Sequence, residues 1–178
     1  MPDTTYGEFC QWFPSVFTVS KAQIAELIGD GGAEIGGTIT FNCAEQFMMY
    51  CKAGRFQDRE TQRKVLATTS PKEQKRLGKL TEGFCAASWD EVKSAVVLAG
   101  NIEKFGQNTK LFGKLMATGD RLIVEAASRD RVWGIGYTAK HAMQHRQHWG
   151  ENRLGKAVME AREHLRRRDV PQSFEEYT

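Results

Sequence analysis

Apolar positions along the chain recur mostly at three- and four-residue intervals, and the polar residues between them carry helix start and stop signals. Ser20 followed by Gln23 is a capping box ahead of Ile24, Leu27 and Ile28, and the run stops in Gly29-Asp30-Gly31-Gly32. Those glycines lack the Gly-Lys-Ser/Thr ending of a phosphate loop and lead into alternating Thr38-Ile39-Thr40-Phe41, so they read as a turn between elements. Asn42 stands where an N-cap belongs and Glu45 falls at the third helical position. With the apolar run from Phe47 to Cys51 behind them, they predict a helix over about residues 43–54. Ser70-Pro71-x-Glu73 repeats the cap with proline at the first helical position and starts a short basic helix that ends near Gly78. Ser88-Trp89-Asp90-Glu91 opens a longer helix whose Val92, Val96, Ala99, Ile102 and Phe105 form one buried stripe. Residues 121–126 read as a short strand, and Leu154, Val158, Ala161 and Leu165 predict an amphipathic helix from near Asn152. The expected fold class is mainly α, a compact single helical domain over residues 1–168 with a few short β-strands, followed by a polar tail over 169–178.

Composition narrows this picture. At 178 residues, 40% hydrophobic and 26% charged, the chain can bury one sizeable core, which excludes wholesale disorder and leaves little room for a second full domain. The formal net charge of +3 is far from that of histone-like or acidic solvating proteins, so anion binding must come from local placement. No apolar run approaches the roughly 18 residues of a membrane span. The opening Met1-Pro2-Asp3-Thr4-Thr5 lacks the basic and apolar regions of a signal peptide, so the expected location is intracellular, in cytoplasm or nucleus. Cys10, Cys43, Cys51 and Cys85 form no Cys-x-x-Cys pair and read as free, mostly buried thiols.

Several groups could carry chemistry. His141, His145 and His148, at offsets of four and seven, would share one helix face as metal ligands, but Ala142 stands where a zinc helix places Glu, and the neighbouring Gln144, Arg146 and Gln147 suit a solvated face. Glu45 and Lys52 are two helical turns apart with Met48 and Met49 between them, so a carboxyl and an amine flank an apolar strip. Half-buried, they would make an acid/base and a nucleophile usable near neutral pH; alternatively Glu45 completes the Asn42 cap and Lys52 complements the helix dipole. Trp89 and Trp133 could stack on a base or belong to the core, and Gly134 and Gly136 after Trp133 favour close approach of backbone to a ligand. Basic residues cluster at Arg63, Lys64, Lys72, Lys75, Arg76 and Lys79, and again at Arg153, Lys156, Arg162 and residues 166–168. They would bind phosphate if the two faces converge, and are otherwise solvated.

Read in order, these landmarks resemble the NADAR, or YbiA-like, family. The matching pieces are Tyr6-Gly7-Glu8-Phe9, Cys43-Ala44-Glu45-Gln46-Phe47 leading to Lys52, Ser70-Pro71 with Leu77-Gly78-Lys79, and Trp89-Asp90. They continue through Lys104-Phe105-Gly106-Gln107-Asn108, Ala117-Thr118-Gly119, Leu122-Ile123-Val124-Glu125 and Asp130-x-x-Trp133-Gly134-Ile135-Gly136. The last is Trp149-Gly150-x-Asn152-x-Leu154-Gly155 with Met159 and Arg162. The chain departs from the family at Gln46-Phe47, where a His-Tyr pair is usual, and at Gln11, where an Asn is usual near the N-terminal Phe. Residues 20–37 and 137–148 look like variable loops of that family.

The resemblance implies an N-glycosidase that removes ADP-ribose from the amino group of guanine in DNA or RNA, reversing ADP-ribosylation as antitoxin-like members do. It implies Glu45, Lys52 and Asp130 as catalytic residues, and Phe9, Gln11, Trp89, Trp133, Gly134, Gly136 and Asn152 as substrate contacts. It implies no metal, no cofactor, no membrane partner and a monomer. Two alternatives stay open: an N-glycosidase of phosphorylated ribosylaminopyrimidine intermediates of riboflavin synthesis, and a non-catalytic ADP-ribose or nucleic-acid binding module.

Overall fold

The computed structural model describes residues 7–169; Tyr6 of the family motif and the polar tail predicted from residue 169 lie outside it, save the backbone of Asp169. A 3₁₀ turn at Gly7–Phe9 precedes strand β1 (Phe17–Ser20), which feeds directly into helix α1 (Lys21–Ile28). Ser20 Oγ accepts the Gln23 N–H at 3.1 Å and Gly29 closes the helix at φ +66°, as the capping box and glycine turn require. Strand β2 (Thr38–Phe41) returns antiparallel to β1, with Phe17 opposite Phe41 and Val19 opposite Ile39. The rest is helical: α2 (Ala44–Arg55), α3 (Arg59–Ala67), α4 (Pro71–Lys79), α5 (Ala86–Gly106), α6 (Thr109–Met116), α7 (Ala139–Ala142), a 3₁₀ turn at Met143–His148, and α8 (Arg153–Asp169).

The long α5 is the axis of the molecule, packed on one side by α2 and on another by α8. Leu154, Val158, Ala161 and Leu165 of α8 are all buried, as their spacing predicts. Phe47 meets Phe17 and Phe41 of the two-stranded sheet edge to face, and it fits against α5 because residue 100 is glycine: a Cβ there would stand 2.7 Å from the Phe47 ring. Helix α4 lies on α2 in the same way, since any Cβ at Gly78 would overlap Met49 Sδ.

Four expectations need correcting. Helix α2 is capped by Cys43, not Asn42. Helix α5 begins at Ala86, ahead of the Ser88 signal. Residues 121–126 form no strand among the described residues: Asn152 Oδ1 accepts the Glu125 N–H at 2.9 Å and Asn152 Nδ2 donates to Ile123 O at 3.0 Å. A side chain and the neighbouring loop therefore hold backbone groups that a sheet partner would otherwise take. The histidines do not share one straight face, because α7 stops at Ala142 and the chain kinks at His145. That ring stacks on Tyr137 at 4.5 Å while His141 meets Thr138 Oγ1 at 3.2 Å.

Candidate active site

The start of α2 sets up the first half of the site. Cys43 has an extended backbone and makes no side-chain cap bond, and the residue that reaches back is Gln46, whose Oε1 accepts the Asn42 N–H at 2.8 Å. Gln46 Nε2 donates to Val65 O and Thr68 O, both at 3.1 Å. Glu45 is thereby released from the capping role that the sequence offered it. It is nonetheless 5% exposed; its N–H donates to Gln11 O at 3.0 Å and its carboxylate accepts a hydrogen bond from the Trp12 side chain. Burial pushes its pKa above the ordinary range, against the pull of Lys75 and the Trp12 bond.

Lys52 lies on the same face about 10 Å further along the axis. Burial and the nearby positive charge of Lys79 push its ammonium below the ordinary lysine range, and Nζ sits 4.1 Å from the Phe84 ring centroid. Across from them runs one side of α4, where Lys75 and Lys79 flank Gly78, with Met49 seated on that glycine. Lys75 Nζ is 5.8 Å from the Trp12 ring. A carboxyl at one end, an amine at the other and lysines opposite therefore line one strip, with the exposed aromatics Trp12 (43%) and Phe84 (45%) at its two ends. A carboxyl that keeps its proton longer than an ordinary glutamate and an amine that gives its proton up more readily than an ordinary lysine suit acid-assisted nucleophilic attack.

The chain before α2 is fastened from below by α5. Phe9 is buried edge-on against Phe105 at 5.5 Å, a core anchor. Lys104, wholly buried, donates from Nζ to Cys10 O at 2.8 Å, and burial lowers its pKa to about 8. Asn101 Nδ2 donates to Gln11 Oε1 at 3.1 Å and to Val97 O at 2.8 Å.

A second group forms where residues 121–136 meet the start of α8. Asp130 Oδ1 accepts the N–H groups of Val132 and Trp133 at 2.9 and 2.8 Å, closing a turn that leaves its other oxygen outside those bonds. Beside it Glu125 is half-buried, and burial together with the Asp130 charge pushes its carboxyl up. A Cβ at Gly134 would come within 2.8 Å of Glu125 O, and one at Gly136 (φ +79°) within 2.8 Å of the Arg131 side chain, so both glycines are explained by the packing of the chain on itself. Asn152 sits at φ +52° with its amide engaged by Ile123 and Glu125, a clamp on the loop. Trp89 packs in the core at 7% exposure and Trp133 is partly buried against it.

The chain matches the NADAR domain model over residues 1–166. It belongs to the NADAR family. It is 38% identical over 159 residues to an N-glycosidase of Acanthamoeba polyphaga mimivirus, covering 87% of this chain and 85% of that one. It is 31% identical over 116 residues to N-glycosidase YbiA of Escherichia coli (strain K12), covering 65% of this chain and 67% of the other. A riboflavin biosynthesis protein of Vibrio vulnificus (strain YJ016) is 29% identical over 164 residues, 92% of this chain and 37% of its own length. The NMR structure of the E. coli protein YbiA shares the fold, with a TM-score of 0.68 at 22% identity over 99% of this chain and 89% of that one.

Within this NADAR chain, the Gln46-Phe47 departure falls on packing positions: Gln46 clamps the α3–α4 connection and Phe47 fills the core. The aromatics that accompany the acid and amine are Trp12 and Phe84, which sequence reasoning passed over; Trp12 stands beside Gln11, and Phe84 follows the φ +68° turn of Gly83. Of the first basic set Lys75 and Lys79 line the strip, while Lys64 and Arg76 pair with Glu60 and Glu73. Arg162 is buried and donates to Thr118 Oγ1 and Arg121 O, and the partly exposed Arg166 donates to Asp120 and Gly119 O, so those two α8 cations hold a turn of the chain. A cavity of about 360 Å³ lies on the opposite side of α2, lined by Ile24, Ile28, Tyr50, Arg59 and Leu66. Its acids are already paired, Asp30 with Arg59 and Glu34 with Lys21, so it lacks the free acid and amine of the Glu45 strip.

Proposed function

We propose that this hydrolase of N-glycosyl bonds releases ADP-ribose from the exocyclic amine of guanine in nucleic acid. The reading rests on one observation above others: a buried carboxyl with a raised pKa and an amine with a lowered one share a face of α2 opposite the lysines of α4. In the proposed reaction, Glu45 in its acid form gives a proton to the leaving nitrogen or the ribose ring oxygen. Lys52 Nζ, unprotonated, attacks the anomeric carbon and the C–N bond to guanine breaks, its electron pair staying on the protonated nitrogen, which leaves as the neutral amine; the ring C–O bond then opens, its oxygen taking a proton given up by Nζ, and an open-chain Schiff base joins ribose to Lys52. Water adds to that imine, with Glu45 now as base, and expels Lys52 to give free ADP-ribose. Asp130, with one oxygen outside its turn, orients the ribose or the water. The lysines of α4 meet the diphosphate, and Trp12 and Phe84 supply stacking faces. No step calls on a metal or cofactor. Residues 1–168 act as one catalytic unit, as a monomer within the cell.

The similarity to a riboflavin biosynthesis protein over 92% of this chain supports a second reading, cleavage of the same bond type in a phosphorylated ribosylaminopyrimidine. Borohydride reduction during turnover tests the chemistry common to both. A mass increase of one reduced ribosyl adduct on wild type and none on Lys52→Met is expected; turnover without any trapped adduct would assign the attack to water instead.

A further inference from the structure

The Gln11 carboxamide has two different ends, and the structure fixes which one Asn101 holds and which one is left over. Its Oε1 accepts from Asn101 Nδ2 at 3.1 Å, while its Nε2 has no hydrogen-bond partner among the described residues; the residue is half-buried, its backbone carbonyl accepts the Glu45 N–H, and Trp12, which bonds the Glu45 carboxylate, follows it in the chain. Turning the Gln11 amide over would set its NH₂ against the NH₂ of Asn101, a donor against a donor. Asn101 cannot turn over in compensation, because its Nδ2 also donates to Val97 O, one turn back on α5, and reversal would set two oxygens face to face. The wholly buried Asn101 Oδ1 is left without a partner among the described residues, a cost tolerated in exchange for a single orientation. Lys104, three residues further along the same helix, holds the carbonyl of Cys10 and so keeps the backbone of this segment in place.

Resting on the reading that the substrate is ADP-ribosylated guanine, we propose that Gln11 is a specificity-determining residue and Asn101 the positioning residue that makes it a donor only. A fixed donor that reaches the 6-position selects a base that presents a carbonyl there, on the same edge as the ribosylated amine. The 6-oxo group of guanine is an acceptor, whereas an amino group there would meet donor with donor.

The test compares two oligonucleotides, each ADP-ribosylated on the 2-amino group, one on guanine and one on 2,6-diaminopurine, by kcat/KM for ADP-ribose release. Wild type is expected to favour guanine by about tenfold or more. Gln11→Glu keeps an oxygen toward Asn101 and turns an acceptor outward, so its preference inverts toward diaminopurine. Asn101→Leu, which leaves Gln11 free to turn, brings the ratio close to one while guanine turnover persists. Equal turnover of both substrates by wild type, with a ratio unmoved in both variants, would overturn the inference and leave the guanine reading standing. Release from neither substrate would overturn the guanine reading and this inference with it.

Discussion

Glu45, Lys52 and Lys104 are three buried or half-buried ionisable groups whose environments move them in directions that make measurable predictions. Burial raises the folded-state pKa of Glu45 above 4.5, so the native state keeps this proton longer than the unfolded chain does. Its contribution favours folding at low pH and is lost as pH rises through the raised value. Glu45→Gln is therefore expected to be at least as stable as wild type at pH 8, with that advantage shrinking toward pH 4 in urea titrations. It should also lower the rate of ADP-ribose release by about a hundredfold or more. Lys104 gives the opposite sign. Its pKa falls from 10.5 to about 8 on folding, so between those values the unfolded chain holds a proton that the native state has lost, and stability climbs with pH across that window. The full rise is about 3 kcal/mol, and Lys104→Met should abolish it in denaturation at pH 8 and pH 10.

At the scale of elements, α2 carries the chemistry because α4 and α5 come close to it, and glycine permits both approaches. Gly100→Ala places a methyl against the Phe47 ring and should destabilise the protein by about 1 to 3 kcal/mol in urea without altering the pH dependence of the remaining activity. Much of this level was readable from sequence. The Ser20 and Ser70 caps, the Gly29 stop and the period of α8 report local backbone and burial, and all three held. What escaped depended on contacts distant in sequence. Residues 121–126 read as a short strand, but Asn152 and Ile135 hold their backbone in place of a sheet neighbour. Asn42 and Glu45 have a capping pattern, yet the chain passes Asn42 to Gln46 and buries Glu45. Trp12 and Phe84 give no periodic signal at all, since their place beside Glu45 and Lys52 is made by the approach of two turns to one helix.

For the whole molecule, the net charge of +3 is a sum with a local pattern: α4 turns its lysines to the strip with the free acid, while Arg162 and Arg166 of α8 are tied to the chain itself. Among the described residues no group of three or more His, Cys, Asp and Glu side chains gathers as a metal site, and the proposed steps run on protons and an amine alone. Incubation with EDTA should accordingly leave turnover unchanged, and its loss on chelation would return attention to the histidines of residues 141–148. The measurement that bears most directly on the central claim sets two substrates side by side: a guanine-ADP-ribosylated oligonucleotide and a phosphorylated ribosylaminopyrimidine, each followed for release of its sugar by the wild-type protein. Release of free ADP-ribose from the oligonucleotide, at a kcat/KM well above that for the small molecule and abolished in Glu45→Gln, is the predicted result. Turnover of the small molecule alone would contradict it.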